Sequence, residues 1–379
     1  MNSLKDNLSL YIHIPFCVRK CLYCDFNSYS GMENLMIKYG KSLQKDINSA
    51  VYDKIGTIFI GGGTPTYLPL DVWKNVYHSI LKLNLIHDME FTVEGNPGTF
   101  SEEKLSFLKY MGVNRLSIGL QSWQNKILKS LGRIHTIDQF LESYKLARKL
   151  KFSNINIDIM FGLPNQSILD WRETLKNVVQ LNPEHISCYS LIIEKNTAFY
   201  NMHREGNLVL PQEDLEREMY EFAVDFLEHN GYVQYEISNF SKPGFQCKHN
   251  LNYWNLGEYI GVGAGAHSYV KGYRYKKIEY IAQYIGEADN NNFSKLDFHK
   301  NSIEDDMEEF VFMGLRKNEG ISILDFKSRF HRDIYSIYKT QIDKHIAYGT
   351  LIENGDRLYL SKRGIQVSNS VMCDFILTA

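Results

Sequence analysis

Hydrophobic positions along residues 1–238 recur with two alternating periods. Short β-rich runs stand at Leu8–Ile14, Thr57–Ile60, Glu90–Glu94, Arg115–Ile118, Ile155–Met160 and Ile186–Ile192. Between them, apolar residues repeat at helical spacing in Leu35–Val51, Leu70–Leu83, Glu102–Met111, Ile137–Leu150, Trp171–Leu181 and Glu213–His229. Such regular alternation predicts parallel strands joined by right-handed helical crossovers. A seventh apolar run, Tyr232–Ile237, either closes the sheet or leaves it. Polar residues choose between the architectures that fit six units. After the strands come a cysteine loop, then Gly61-Gly62-Gly63-Thr64, Glu94, Gln121, Asp158 and Ser190. A β/α barrel gathers functional groups from many strand ends, whereas a doubly wound sheet concentrates them at one switch point. The expectation is an α/β fold, an incomplete (β/α)6 barrel over residues 1–238.

From Asn239 the pattern breaks. Residues 239–300 read as a connecting region, rich in aromatic and polar residues. Residues 301–379 hold two helical stretches, Glu304–Arg316 and Ile334–Tyr348, and a hairpin, Thr350–Ser361, turning at Asn354-Gly355. That order predicts a smaller C-terminal α+β domain, winged-helix-like, whose near-balanced charge favours packing or partner binding over DNA binding. The run Gly261-Val-Gly-Ala-Gly-Ala266 fits a dinucleotide fingerprint only superficially. The residues after it are strand-like and not helical, so a tight turn near the pocket is preferred.

The formal net charge of −2 argues against nonspecific nucleic-acid binding, which needs a basic face to displace counterions. No apolar signal core, Arg-rich transit helix or bilayer-length apolar stretch is present, so a cytoplasmic location is expected. Peripheral membrane contact stays open.

Six cysteines in 379 residues are too few for a disulfide scaffold, and three of them fall in Cys17-Val-Arg-Lys-Cys21-Leu-Tyr-Cys24. Thiolates are soft ligands, suited to iron–sulfur clusters or zinc. Three cysteines in one tight loop can hold three corners of a cubic cluster and leave one iron open to a substrate or cofactor. Structural zinc is the alternative, closed by a fourth ligand such as His13 or a distant cysteine, although zinc sites generally pair two C-x2-C knuckles and this chain has one. The triple glycine allows close backbone approach to a ligand, or is simply a tight strand-to-helix turn.

Tyr11-Ile-His-Ile-Pro-Phe-Cys17, the C-x3-C-x2-C loop and Gly61-Gly-Gly-Thr-Pro-Thr66 together resemble radical S-adenosylmethionine (SAM) proteins related to the oxygen-independent coproporphyrinogen III oxidases. The resemblance covers nearly the whole chain. It implies a [4Fe–4S] cluster on Cys17, Cys21 and Cys24, with SAM chelating the open iron and cleaved by one electron to methionine and a 5′-deoxyadenosyl radical. It further implies SAM contacts from Gly62, Gly63, Thr64, Glu94, Gln121, Arg133 and Asp158, and more weakly from Tyr11 and Tyr23, which read equally as core aromatics.

Two features bear on the branch. The oxidases carry a further cysteine two positions past the third, where this chain has Phe26. Downstream, His249-Asn-Leu-Asn-Tyr253-Trp254 resembles the H-N-x-x-Y-W motif of the HemW heme chaperones, a branch in which that motif is tied to heme binding. Imidazole is a common axial heme ligand, and Tyr253 and Trp254 offer flat faces to a macrocycle. A lone histidine among aromatics is more often structural. The resemblance thus implies a heme carrier whose partners are heme, heme-acceptor proteins and an electron donor. An oxidase that decarboxylates coproporphyrinogen III is the alternative, and a zinc-stabilised barrel without radical chemistry is the third reading.

Overall fold

The computed structural model describes residues 7–50 and 54–377. The N-terminal hexapeptide and Val51, the predicted end of the first helix, lie outside the described residues. Six parallel strands carry the fold: β1 (Leu8–Ile14), β2 (Ile55–Gly62), β3 (Leu85–Gly95), β4 (Arg115–Gln121), β5 (Ile155–Phe161) and β6 (His185–Ser190). Between them run α1 (Met36–Ser49), α2 (Leu70–Ile80), α3 (Glu102–Tyr110), α4 (Asn125–Ser130), α5 (Ile137–Lys149) and α6 (Ile168–Gln180). After β6 come α7 (Ala198–Arg204) and α8 (Glu213–His229). Capping boxes start α5 at Thr136 with Gln139 and α6 at Ser167 with Asp170, each tying up backbone N–H groups that have no partner within the helix.

The run predicted at 232–237 stays in the sheet. There β7 (Val233–Glu236) pairs antiparallel with β8 (Asn239–Ser241), which pairs antiparallel with β6. Residues 239–300, expected from their composition to be a connecting region, are built into the same sheet. After α9 (Lys248–Trp254), strand β9 (Tyr259–Val262) lies parallel to β1, with Leu10 opposite Ile260 and Ile12 opposite Val262. Strands β10 (His267–Val270), β11 (Tyr273–Lys276) and β12 (Leu296–Lys300) extend that edge antiparallel, with α10 (Ile281–Asp289) between the last two. The result is an open twelve-stranded sheet with a parallel centre, β9-β1-β2-β3-β4-β5-β6, an incomplete barrel as the sequence predicts. Gly261–Ala266 crosses from β9 to β10 through a turn and opens no helix.

Period-2 alternation divides each strand between two environments. Leu10, Ile12, Ile58, Ile60, Phe91, Val93, Leu116, Ile118, Ile155, Ile157 and Ile186 are buried in one continuous core with the helices. The intervening positions are Ser9, Tyr11, His13, Thr57, Glu94, Ser117, Asn156, Asp158 and Ser187, so the bore of the barrel is polar.

A second core gathers Met307, Val311, Phe326, Ile334, Tyr338 and Leu358. Its elements are α11 (Ile303–Gly314), β13 (Ile321–Ser322), α12 (Ile323–Phe330), α13 (Ile334–Ala347), β14 (Leu351–Asn354), β15 (Arg357–Leu360), α14 (Lys362–Gln366) and α15 (Ser368–Cys373). Helices with a three-stranded sheet ordered β13-β15-β14 give the expected winged-helix-like unit. It is fastened beside the barrel by Arg274 on Glu309, Tyr269 on Asp306 (2.8 Å) and Arg329 on the Leu256 carbonyl (2.9 Å).

Candidate functional site

The cysteine loop leaves the C-terminal end of β1 and is pinned at several backbone points. Cys17 N–H donates to the Tyr29 carbonyl (2.9 Å), Leu22 N–H to Leu131 (3.0 Å), and Phe199 N–H to Leu22 (2.9 Å). The short helices α4 and α7, which the hydrophobic pattern does not announce, therefore serve as its anchors. Cys17 is buried, while Cys21 and Cys24 are partly open. Burial raises the Cys17 thiol and pushes Cys24 up to about 11, so a metal must supply the energy to hold the thiolates.

The glycine turn closes on this loop. Gly63 N–H donates to the Ile14 carbonyl and Thr64 N–H to Phe16, both at 2.8 Å. A Cβ on Gly63 would stand 2.7 Å from the Phe16 carbonyl oxygen and 3.0 Å from Cys17 Sγ. Gly62 adopts φ +112°, and a Cβ there would meet the His13 ring at 2.5 Å. Glycine is required at both positions. His13, the suggested fourth zinc ligand, has both ring nitrogens engaged. Its Nε2–H donates to the Asn27 carbonyl (2.8 Å), so Nδ1 accepts from the Tyr11 hydroxyl (2.9 Å).

A hydrogen-bond chain encircles two of the cysteines. Thr64 Oγ1 donates to Cys17 Sγ (3.6 Å) and accepts from Asn96 Nδ2 (2.8 Å). Asn96 Oδ1 accepts from Arg133 Nη2 (2.9 Å), and Arg133 Nη1 donates to Cys21 Sγ (3.5 Å). Arg133 also donates to the Gly119 carbonyl. Its Nε is buried without a partner among the described residues. Asn96 and Gly119 were missed by sequence reasoning. The signal for Asn96 was its place just after β3, in Gly95-Asn96-Pro97-Gly98; Gly119 gave none, since only its closeness to Arg133 (2.7 Å from an added Cβ) reveals it.

The other strand-end residues sit around the mouth of the bore. Glu94 accepts from Gly62 N–H (3.2 Å), and burial, helped by Asp158, pushes its carboxyl up to about 8. Asp158 accepts from Ser117 (3.0 Å) and Asn156 (2.7 Å), and burial raises it too. Gln121 ends β4 at φ +71°, a left-handed conformation that non-glycine residues adopt at a cost and that clusters at functional sites. Tyr23 packs against Phe199, their ring centres 6.4 Å apart.

The H-N-x-x-Y-W residues form α9, which plugs the far end of the bore. His249 is fully buried. The Thr57 hydroxyl donates to Ser9 (2.7 Å), so it accepts from His249 Nδ1–H (2.7 Å), leaving Nε2 to accept from the Tyr253 hydroxyl (2.8 Å). Burial and the nearby Arg115 guanidinium hold this imidazole down at about 3, so it is neutral. One helical turn separates His249 from Tyr253, which places them on one face of α9. Trp254 lies under the Arg316 guanidinium, 4.7 Å from ring centre to Cζ.

Tyr253 and Trp254 line a cleft of about 710 Å³ that opens beside the cysteine loop. Tyr11, Gly62 and Glu94 form its inner end; Phe26, Tyr259, His267, Tyr269 and Met313 form its outer walls. His249 is not among its lining residues; it faces a smaller space of about 200 Å³ with Arg115 and Asp158.

The Radical SAM superfamily model matches residues 11–178, and the HemN C-terminal domain model matches residues 301–367. The solved structure described as coproporphyrinogen III oxidase (HemN) from Escherichia coli superposes with a TM-score of 0.87 at 20% identity, covering 98% of this chain and 91% of that one, which shows the shared fold. Among curated proteins, the heme chaperone HemW of Bacillus subtilis is 39% identical over 97% of this chain and 99% of its own length. The heme chaperone HemW of Escherichia coli is 42% identical over 69% of this chain and 70% of its own. The chain belongs to the HemW family. As a radical SAM family, HemW proteins imply a [4Fe–4S] cluster and SAM, and the residues of this HemW-family chain fit both. The donor set is three thiols from one loop, backed by a cationic guanidinium and a turn with no room for a Cβ. Among the described residues no three His, Cys, Asp or Glu side chains converge on a single-ion site. No helix among the described residues is long and apolar enough to cross a membrane.

Proposed function

We propose that this chain binds heme and hands it to acceptor proteins in the cytoplasm, carrying a [4Fe–4S] cluster on Cys17, Cys21 and Cys24 and an exchangeable SAM. The end-to-end identity with curated relatives named heme chaperones carries this reading. When bound, the cluster supplies one electron at a time, taken from an external donor. The chain's own residues do the rest. Arg133 offsets thiolate charge at Cys21 and, through Asn96 and Thr64, at Cys17. The Gly62-Gly63-Thr64 backbone and Glu94 would hold the methionyl end of SAM, and Gln121 and Asp158 would accept from its ribose hydroxyls. Tyr253 and Trp254 present flat faces to a porphyrin in the cleft.

Hemin titrated anaerobically into the cluster-reconstituted chain should give a shifted Soret band at near-unit stoichiometry. The loaded chain should then convert an apo-hemoprotein to its holo form. Failure of wild-type protein to bind heme rejects the reading, and protoporphyrinogen formed from coproporphyrinogen III with SAM and a reductant would replace it with the oxidase.

A further inference from the structure

The motif histidine and the cleft do not meet. Any heme ligated by His249 would need the imidazole to break its bonds to Thr57 and Tyr253 and leave a site of zero exposure. The Tyr253 hydroxyl would be left without its acceptor, a cost incurred before any iron bond forms.

One other histidine has the opposite properties. His267, the first residue of β10, is exposed and lines the cleft, and neither of its ring nitrogens has a hydrogen-bond partner among the described residues. Its backbone is fixed. Its carbonyl oxygen lies 2.1 Å from where a Cβ on Gly261 would stand, so β9 and β10 are held together too closely there for any side chain. Partial burial, with Lys276 nearby, lowers the imidazole's affinity for protons, which keeps a lone pair free for a metal.

We propose that His267, and not His249, is the side chain that takes the heme iron. The proposal rests on the heme-carrying reading and deepens it. The surroundings suit a metalloporphyrin. Tyr259, Tyr269 and Trp254 give the cleft aromatic walls. The cleft volume of about 710 Å³ falls within the roughly 300–1,000 Å³ usual for small-molecule sites. Lys20 lines the same cleft and donates only to the Phe26 and Ser28 carbonyls, with no carboxylate partner among the described residues, so it is available to a propionate. Arg274, by contrast, is committed to Glu309. In this arrangement the role of His249 is to hold Tyr253 in the cleft wall.

Anaerobic hemin titrations of the full-length, cluster-reconstituted chain test the assignment. Wild type should bind near one equivalent. His267→Ala should weaken binding on the order of tenfold or more, since a first ligand contributes at least as much as the outer partners of a metal site. Added imidazole should restore the histidine-type Soret band of that variant. His267→Cys should bind with a thiolate-type spectrum, which only direct ligation produces. His249→Ala should retain the wild-type Soret position. An unchanged spectrum and affinity in His267→Ala overturns the assignment, as does a lost Soret band in a His249→Ala protein whose melting curve shows it folded. Absence of binding by wild type overturns the heme-carrying reading and the assignment with it.

Discussion

The bore of the barrel and the cleft beside its mouth hold similar side chains (histidine, tyrosine, acids and an arginine), yet the two differ in what is left over. In the bore, Ser9, Thr57, His249 and Tyr253 form one hydrogen-bonded row, and His185 spans Asn156 (2.6 Å) and the Tyr235 hydroxyl (2.8 Å). A buried polar network of this kind rigidifies a structure because each member is costly to leave unpaired. In the cleft, His267 and Lys20 keep free valences and the walls are aromatic. Residue type alone therefore does not mark a ligand site. What marks it is an unused donor or acceptor that a ligand can reach: Arg115 Nε in the bore is also without a partner among the described residues, but it is buried.

Four substitutions or titrations press on that contrast, beginning with the largest expected effect. Cys21→Ser should abolish the cluster, with iron and sulfide falling to background, while the far-UV spectrum persists because the loop is held by backbone bonds at Cys17 and Leu22. Asn96→Ala cuts the chain joining Arg133 to Thr64. It should weaken cluster retention by roughly 10–100-fold, as for other outer partners of metal sites, measured as iron loss to a chelator. His249→Ala should lower unfolding free energy by about 1–3 kcal/mol in urea titrations, because Tyr253 and Thr57 lose a buried partner. A stability unchanged by that substitution would mean the bore is not the rigid region described. Glu94 sets the smallest effect. Its folded-state carboxyl is raised to about 8, so below that pH it is mostly protonated and a cationic ligand must displace the proton. SAM affinity should rise with pH up to about 8, by at most about tenfold per unit, then level off; Glu94→Gln should flatten the profile.

Much of the barrel was legible because local pattern and tertiary role agree there. The alternation in Leu8–Ile14 gives both the strand and the polar face that Tyr11 and His13 present, and the hairpin turning at Asn354-Gly355 follows from its turn residues. The extent of strands was less legible. β3 begins at Leu85, five residues before the predicted start, and its first residues are partly exposed and lack the apolar run that marks a buried strand. β9 is four residues long, and its partner β1 is far away in sequence, so nothing in the local pattern around Tyr259 announces a central parallel strand. The start of α6 is legible in the capping box of Ser167 and Asp170, which begins the helix at Ile168, three residues before the apolar periodicity alone puts it. For the site, the cysteine spacing and the residues after each strand were visible as chemistry. Whether a histidine is spent or free was not, because that depends on Thr57 and Tyr253 meeting His249 in space.

The pairing of β1 with β9 also sets a timetable. The chain is made from its N-terminus, at roughly 5–20 residues per second, and domains start folding as they emerge. The cysteine loop is among the first segments out, but β1 keeps an unpaired edge until Tyr259–Val262 has followed it. An apolar strand with a bare edge is a template for the wrong neighbour. Iron delivered before that moment would meet a loop whose supporting strand is still unflanked. A nascent chain halted before residue 259 should therefore need a chaperone to stay soluble, and should retain a reconstituted cluster less well than the full chain.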